Sequence, residues 1–227
     1  MHRRVAGGVH LVGGPELSDG RDCLVYLVDA GDLVLIDCGA GEGWPRIRDN
    51  IVESGYDPGS IKTLILTHCH VDHIGAASTV RAETGCKVVA HDLDARAIET
   101  GHPALTAANW YSIRLPGAIV DHRVRGERET MVFASGTMEL VHTPGHTPGS
   151  MSVLFETGGS RVLFGQDIHG PFDKSFGSDI EQWRRSMELL LALNADILCE
   201  GHYGVYSPRS AVERFIRGHV SRMAGER

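Results

Sequence analysis

The chain has 227 residues, with 42% hydrophobic and 22% charged residues and a formal net charge of −7. That length can bury a sizeable core without disulfide or metal staples, and the composition is that of a soluble globular protein. The acidic balance argues against an electrostatic nucleic-acid binder, which needs a basic stripe.

The N-terminus, MHRRVAGGVHLVGG, has no long apolar segment behind its basic start and does not read as a secretory signal. Cys23 to Ala30 and Leu33 to Asp37 are apolar strands joined at Gly31 and Asp32, a hairpin signal. Trp44 to Glu53 is a predicted helix ended by Ser54 and Gly55. Thr63 to Leu66 is a buried strand by its continuous apolar run. A helix is expected over Ile74 to Thr84, stopped by Gly85, then a strand at Lys87 to Ala90 and a short helix at Leu93 to Thr100. Gly101 to Pro116 is poorly periodic and is expected to form a lid carrying Trp110, Tyr111 and Arg114.

In the second half, Glu139 to His142, Met151 to Phe155 and Arg161 to Phe164 read as strands. Ser178 to Asn194 is the clearest helix, with Ser178 and Glu181 at capping-box spacing and Trp183, Met187, Leu190 and Leu191 on one face. After a strand at Ile197 to Cys199, Ser207 and Pro208 open a last helix, whose apolar face is Val212, Phe215, Ile216 and Val220. One domain spanning residues 1–227 is expected, of α/β (α+β) class, with two sheets packed together and helices outside. The five cysteines are odd in number and form no C-x-x-C pair. No apolar stretch is long enough to span a membrane. The expected location is therefore cytoplasmic, with reduced thiols.

The densest chemistry is His68-Cys69-His70-Val71-Asp72-His73, directly after a strand. Side chains two apart in extended backbone share a face, so His68 and His70 can bite one cation while Cys69 points away. Asp72 and His73 can swing to a second position as the chain turns. Imidazole and carboxylate together suit Zn, Fe or Mn. His146 sits between two Thr-Pro-Gly triplets, each favouring a tight turn. Asp167 and His202 follow two further strands, so the candidate ligands converge from separate strand ends.

THCHVDHIG resembles the H-x-H-x-D-H signature of the metallo-β-lactamase superfamily. HTPGHTPGS and LFGQD are similar to its next two motifs, especially in glyoxalase II and lactonase-like members, and LIDCG resembles its early strand motif. The resemblance implies a four-layer αββα sandwich with a dinuclear centre at one edge. It assigns His68, His70 and His146 to one metal, Asp72, His73 and His202 to the other, and Asp167 as the bridge. It implies a metal-dependent hydrolase in which a metal-bridging hydroxide attacks a small ester, lactone or thioester, with Asp72 as proton carrier and two divalent ions, zinc foremost. The same family allows a mononuclear iron enzyme of the persulfide dioxygenase type, or phosphodiester cleavage on the same core.

Around that set, Asp37 and Cys69 read as supporting or packed side chains, His142 as structural and His91 as a cap-region residue. His169, Tyr203 and Tyr206 are candidate substrate contacts, together with Trp110 and Tyr111. The expected partner is a small molecule, with no nucleic acid and no membrane; a homo-oligomer is left open. The chain ends 25 residues after His202, and QDIHGPF departs from the glyoxalase II pattern. Both features speak against a glutathione thioester as substrate.

Overall fold

The computed structural model describes residues 3–225. Its first half runs β1 (Arg3–Ala6), β2 (Val9–Gly13), β3 (Val25–Asp29), β4 (Leu33–Ile36), α1 (Trp44–Glu53), β5 (Ile61–Ile65), α2 (Val71–Ile74), α3 (Ala77–Thr84), β6 (Lys87–His91), α4 (Asp92–Thr100) and β7 (His122–Val124). The second half runs β8 (Arg128–Phe133), β9 (Gly136–His142), β10 (Met151–Thr157), β11 (Ser160–Phe164), α5 (Ile180–Ala192), β12 (Ile197–Cys199), β13 (Val205–Tyr206) and α6 (Arg209–Gly225). Strands β1 to β7 form a seven-stranded sheet in chain order, and β13-β12-β11-β10-β9-β8 form a six-stranded one.

The strand sequences explain the layering. Side chains alternate faces along a strand, and a sheet buried on both faces needs apolar residues at every position. On β3 and β4, Tyr26, Val28, Val34 and Ile36 point to the space between the sheets, where they meet Leu140, Val153, Phe155 and Phe164. The intervening Val25, Leu27, Leu33 and Leu35 face outward onto Trp44, Ile47 and Ile51 of α1 and Val80 of α3. The second sheet repeats the pattern. Val141, Leu154, Leu163 and Leu198 pack under Trp183, Met187 and Leu190 of α5 and Val212 and Ile216 of α6. The result is the expected αββα sandwich. No helix among the described residues is long and apolar enough to cross a membrane.

Local departures have physical causes. The helix expected over Ile74 to Thr84 is two helices, α2 and α3, because the chain turns just after the ligand run. Ser178 does not cap α5. Asp179 does, accepting from the Glu181 and Gln182 amides at 2.9 and 3.0 Å, while the Ser178 hydroxyl donates to the His146 carbonyl. A carboxylate one residue on is simply the better-placed acceptor for the free amides of the first turn. The last helix begins at Arg209, with the Pro208 carbonyl taking bonds from Ala211 and Val212. Strands β1, β2, β7, β8 and β13 lie outside the predicted set. β8 alternates exposed and half-buried residues and β1 has two exposed and two half-buried ones, so neither carries a strong apolar run.

Candidate metal centre

All the expected ligands lie at one end of the sandwich, where β5, β11 and β12 terminate. His68 and His70 extend past the end of β5, and Asp72 and His73 lie on the single turn of α2. His146 is on the loop between β9 and β10. Gly145, with φ +136, lies where an added Cβ would meet the Trp183 backbone at 2.4 Å, so only glycine lets the loop press against α5. Asp167 follows β11 and His202 follows β12.

The side chains fall into two groups that share Asp167. Potential ligand atoms of His68, His70, His146 and Asp167 lie within 4.8 Å of one another, as do those of Asp72, His73 and His202. The two oxygens of Asp167 divide between the groups. Oδ2 lies 3.7 Å from His68 Nε2 and 3.3 Å from His146 Nε2. Oδ1 lies 3.2 Å from His73 Nε2 and 3.3 Å from His202 Nε2. Asp72 Oδ2 closes the second group at 3.2 Å from His202 Nε2 and 3.6 Å from His73 Nε2.

Hydrogen bonds on the far side of each ring determine which nitrogen faces inward. His73 Nδ1 donates to Asp37 at 2.7 Å, and His146 Nδ1 donates to the Pro171 carbonyl at 2.8 Å. Thr67 gives its hydroxyl proton to Asp37 at 2.7 Å, which leaves its oxygen free to accept from His68 Nδ1 at 3.2 Å. In each ring Nε2 is thereby left as a lone pair aimed into the centre, the arrangement a metal-binding imidazole requires. His70 presents Nδ1 instead, 2.8 Å from His146 Nε2.

The donor set fits divalent cations. His68 Nε2, His73 Nε2 and Asp167 Oδ1 are buried with no hydrogen-bond partner. Unpaired buried polar atoms are costly and rare, and converging lone pairs repel unless a cation lies among them. Electrostatics agree. Burial holds the His68 and His70 imidazoles well below their ordinary range, aided by neighbouring histidines, so they remain neutral. Burial pulls His202 down as well, but the Asp167 and Asp72 carboxylates override it and raise this group to about 10. Burial pulls His73 down too, and the Asp167, Asp72 and Asp37 carboxylates around it raise it overall well above its ordinary range. Excess negative charge around these two rings calls for positive charge, which a cation supplies as well as a proton does.

A third grouping, Cys23, Asp37 and His73, is less suited to a cation. Burial pushes the Cys23 thiol far up, and Asp37 is already engaged by Thr67, His73 and Gln166. Cys69 is buried, its thiol donating to the Leu105 carbonyl. His91 caps α4 through Nδ1, and His142 stacks on it at 3.9 Å.

A cleft of about 220 Å³ opens over the centre, lined by His70, Asp72, Asp167 and His202 together with Ala107, Trp110, Tyr111, His169 and Pro171. The 101–116 segment thus contributes the expected Trp110 and Tyr111 to the cleft wall, but Arg114 does not line it. Burial and the Asp72 charge raise the Tyr111 phenol to about 12, which keeps its proton available to donate. Tyr203 lines a neighbouring groove of about 430 Å³ with Leu11, Leu17, Leu24 and Val205, and His202 borders both spaces. Tyr206 lines neither; its ring packs on Phe215 at 4.2 Å. Sequence reasoning missed Gln166, whose amide donates to Asp37, and Glu200, which accepts from His169 at 2.7 Å and from the His202 amide at 2.8 Å. A buried Glu directly after the apolar strand ILC was the available signal for the second.

The sequence profile of the metallo-beta-lactamase superfamily matches residues 18–202. A probable metallo-hydrolase of Methanocaldococcus jannaschii is 28% identical over 187 residues, covering 78% of this chain and 85% of that protein. A hydroxyacylglutathione hydrolase of Haemophilus influenzae is 27% identical over 200 residues, covering 85% of this chain and 90% of that protein. Among solved structures, a B3 metallo-beta-lactamase with an active-site glutamic acid superposes with a TM-score of 0.82 at 26% identity, covering 99% of this chain and 89% of that one. A Cronobacter sakazakii metallo-beta-lactamase superposes at 0.84 with 20% identity, which speaks to fold alone.

Proposed function

The chain belongs to the metallo-beta-lactamase superfamily, and from that premise we propose that it is a dinuclear metal-dependent hydrolase of a small ester, lactone or thioester. The observation that carries the reading is the division of Asp167, one oxygen toward each ligand group. His68, His70 and His146 would hold one cation and Asp72, His73 and His202 the other. Borderline divalent ions, zinc first, suit imidazole and carboxylate. When bound, such ions supply Lewis acidity and a water acidified toward neutral pH, so no Ser or Cys nucleophile is needed.

The remaining work falls to the chain's own side chains. Asp72 lines the cleft beside His202 and is placed to take a proton and return it to the leaving group. Tyr111, protonated at neutral pH, is a donor for a substrate oxygen. Trp110 and Pro171 supply apolar wall, and the Leu11, Leu17, Leu24 and Val205 groove beyond His202 is suited to an apolar acyl or alkoxy part. The objection to a glutathione thioester from chain length loses its force, because a hydroxyacylglutathione hydrolase is matched over 90% of its own length. A thioester therefore stays within the substrate class.

The test is metal analysis paired with a panel of esters, lactones, thioesters, phosphodiesters and persulfides. The expected result is two zinc ions per chain and oxygen-independent cleavage of a carbonyl substrate, abolished by chelation and restored by zinc. One iron per chain with oxygen consumption would overturn it in favour of a persulfide oxidation. Phosphodiester turnover alone would retain the centre and replace the substrate class.

A further inference from the structure

We propose that Asp94 is a positioning residue: it clamps the loops carrying His68, His70 and His146 against each other and so tunes that ligand group without touching its cation. The inference rests on the two-cation reading above.

Asp94 lies on the core-facing side of α4, beside Ala95, Ala97 and Ile98, and is only 2% exposed. A carboxylate at such a position is costly unless it is well supplied with donors. Three donors converge on it from two distant segments. Its Oδ2 accepts from the Cys69 amide at 3.0 Å, and Cys69 is the residue between His68 and His70. The same oxygen accepts from the Thr147 hydroxyl at 2.7 Å, and Thr147 directly follows His146. Oδ1 accepts from the Gly149 amide at 2.8 Å. An added Cβ at Gly149 would lie 2.6 Å from that oxygen, so glycine is what admits the carboxylate. One buried side chain therefore fixes the separation of the two loops whose imidazoles, on His70 and His146, approach to 2.8 Å.

The second ligand group is held differently. His73 is oriented by Asp37, and the His202 backbone is held by Glu200. Asp94 touches neither, so its loss is expected to act on one group selectively. Asp94→Asn has nearly the same shape but only one accepting oxygen. If that oxygen stays toward Gly149, the amide NH2 meets the Cys69 N–H, donor against donor. If it turns the other way, the Gly149 N–H is stranded. Either way a buried donor is stranded and the clamp between the two loops is weakened.

The experiment is a cobalt(II) titration of the intact chain followed by visible absorption, with the phase of the His68–His70–His146 group identified by its loss in His146→Ala. In Asp94→Asn that phase is expected to weaken by about 10–100-fold, the usual effect of removing an outer support of metal ligands, while the other stays near wild type. Thr147→Val, which removes one donor to the clamp, should weaken the same phase, and Thr147→Ser should restore it. Wild-type affinity for both phases in Asp94→Asn, or an equal loss in both, overturns the inference. If Asp94→Asn does not fold, the Val and Ser variants at Thr147 decide the question on the same criteria. A wild-type chain that takes up fewer than two ions instead sinks the two-cation reading.

Discussion

Asp37→Asn tests the orientation of the ligands most directly. Asp37 sits in the left-handed region at φ 58, a conformation Asn tolerates, so the substitution leaves the backbone unstrained. Its carboxylate is 0% exposed and accepts four bonds. The Thr67 amide donates to Oδ1 at 2.8 Å, and the Thr67 hydroxyl and His73 Nδ1 each donate to Oδ2 at 2.7 Å, where the Gln166 amide also donates. An Asn keeps one accepting oxygen. Its least costly orientation puts that oxygen in the Oδ2 position and strands the Thr67 N–H. One stranded buried donor costs about 1–3 kcal/mol. For a chain of this size that is a fall in Tm of about 2–12 °C, at about 2–4 °C per kcal/mol. His73 also exchanges a charge-assisted bond for a neutral one, which lowers the basicity of Nε2. The expected loss of affinity for the cation of the Asp72, His73 and His202 group is about 10–100-fold. Calorimetry of the metal-free protein and zinc competition against a chromogenic chelator measure the two effects separately. Unchanged zinc affinity in a folded Asp37→Asn would refute the claim that the outer hydrogen bond directs His73.

Two further substitutions probe the scaffold. Gly145→Ala places a methyl 2.4 Å from the Trp183 backbone at φ +136, so it should displace the His146 loop. Soluble expression and zinc stoichiometry report this, and a native Tm with two zinc ions would contradict it. The stacked His91 is held down to about 4, first by burial and then by the neighbouring His142. Its neutral form is favoured in the fold, while the unfolded chain protonates near pH 6.5, so stability is present above that pH and declines as pH falls toward 4. At pH 4.5 the loss from this group is on the order of 1–2 kcal/mol relative to neutral pH once solvent screening is allowed for. His91→Asn, which can still cap α4, should remove that part of the acid sensitivity in urea titrations at the two pH values; an identical acid loss in the variant would assign it to other groups.

The fold was readable for most strands buried on both faces; β2 is the exception, buried at every position but interrupted by His10 and closed by Gly13. Apolar runs such as LVLI and TLIL announce central strands, and Trp183, Met187 and Leu190 announce the core-facing stripe of α5. Edge strands were not readable in the same way. β8 spends half its side chains on solvent, and β1 has no buried residue. Their place is decided by pairing with β9 and β2, a non-local fact.

The candidate site divides along a similar line, for a reason that lies in the chemistry of imidazole. Ligand identity is a local property. Four candidate ligands fall between His68 and His73, and a strand end presents them together. A ligand's identity does not, however, fix which ring nitrogen faces the cation, because the Cβ–Cγ torsion is soft and both tautomers are accessible. That choice is made by whatever accepts the other N–H. Here the acceptors are Asp37 after β4, the Thr67 hydroxyl after β5 and the Pro171 carbonyl after β11, brought together only by the folded chain. A carbonyl leaves no mark in a sequence at all, and a lone Asp after a strand is ambiguous. Asp94 is the instructive intermediate. It occupies a core-facing position on α4 between otherwise apolar neighbours, so helical periodicity exposes it as a misplaced charge. Periodicity can thus reveal that a buried carboxylate must be satisfied, while only the fold reveals that its donors belong to the loops carrying His68, His70 and His146.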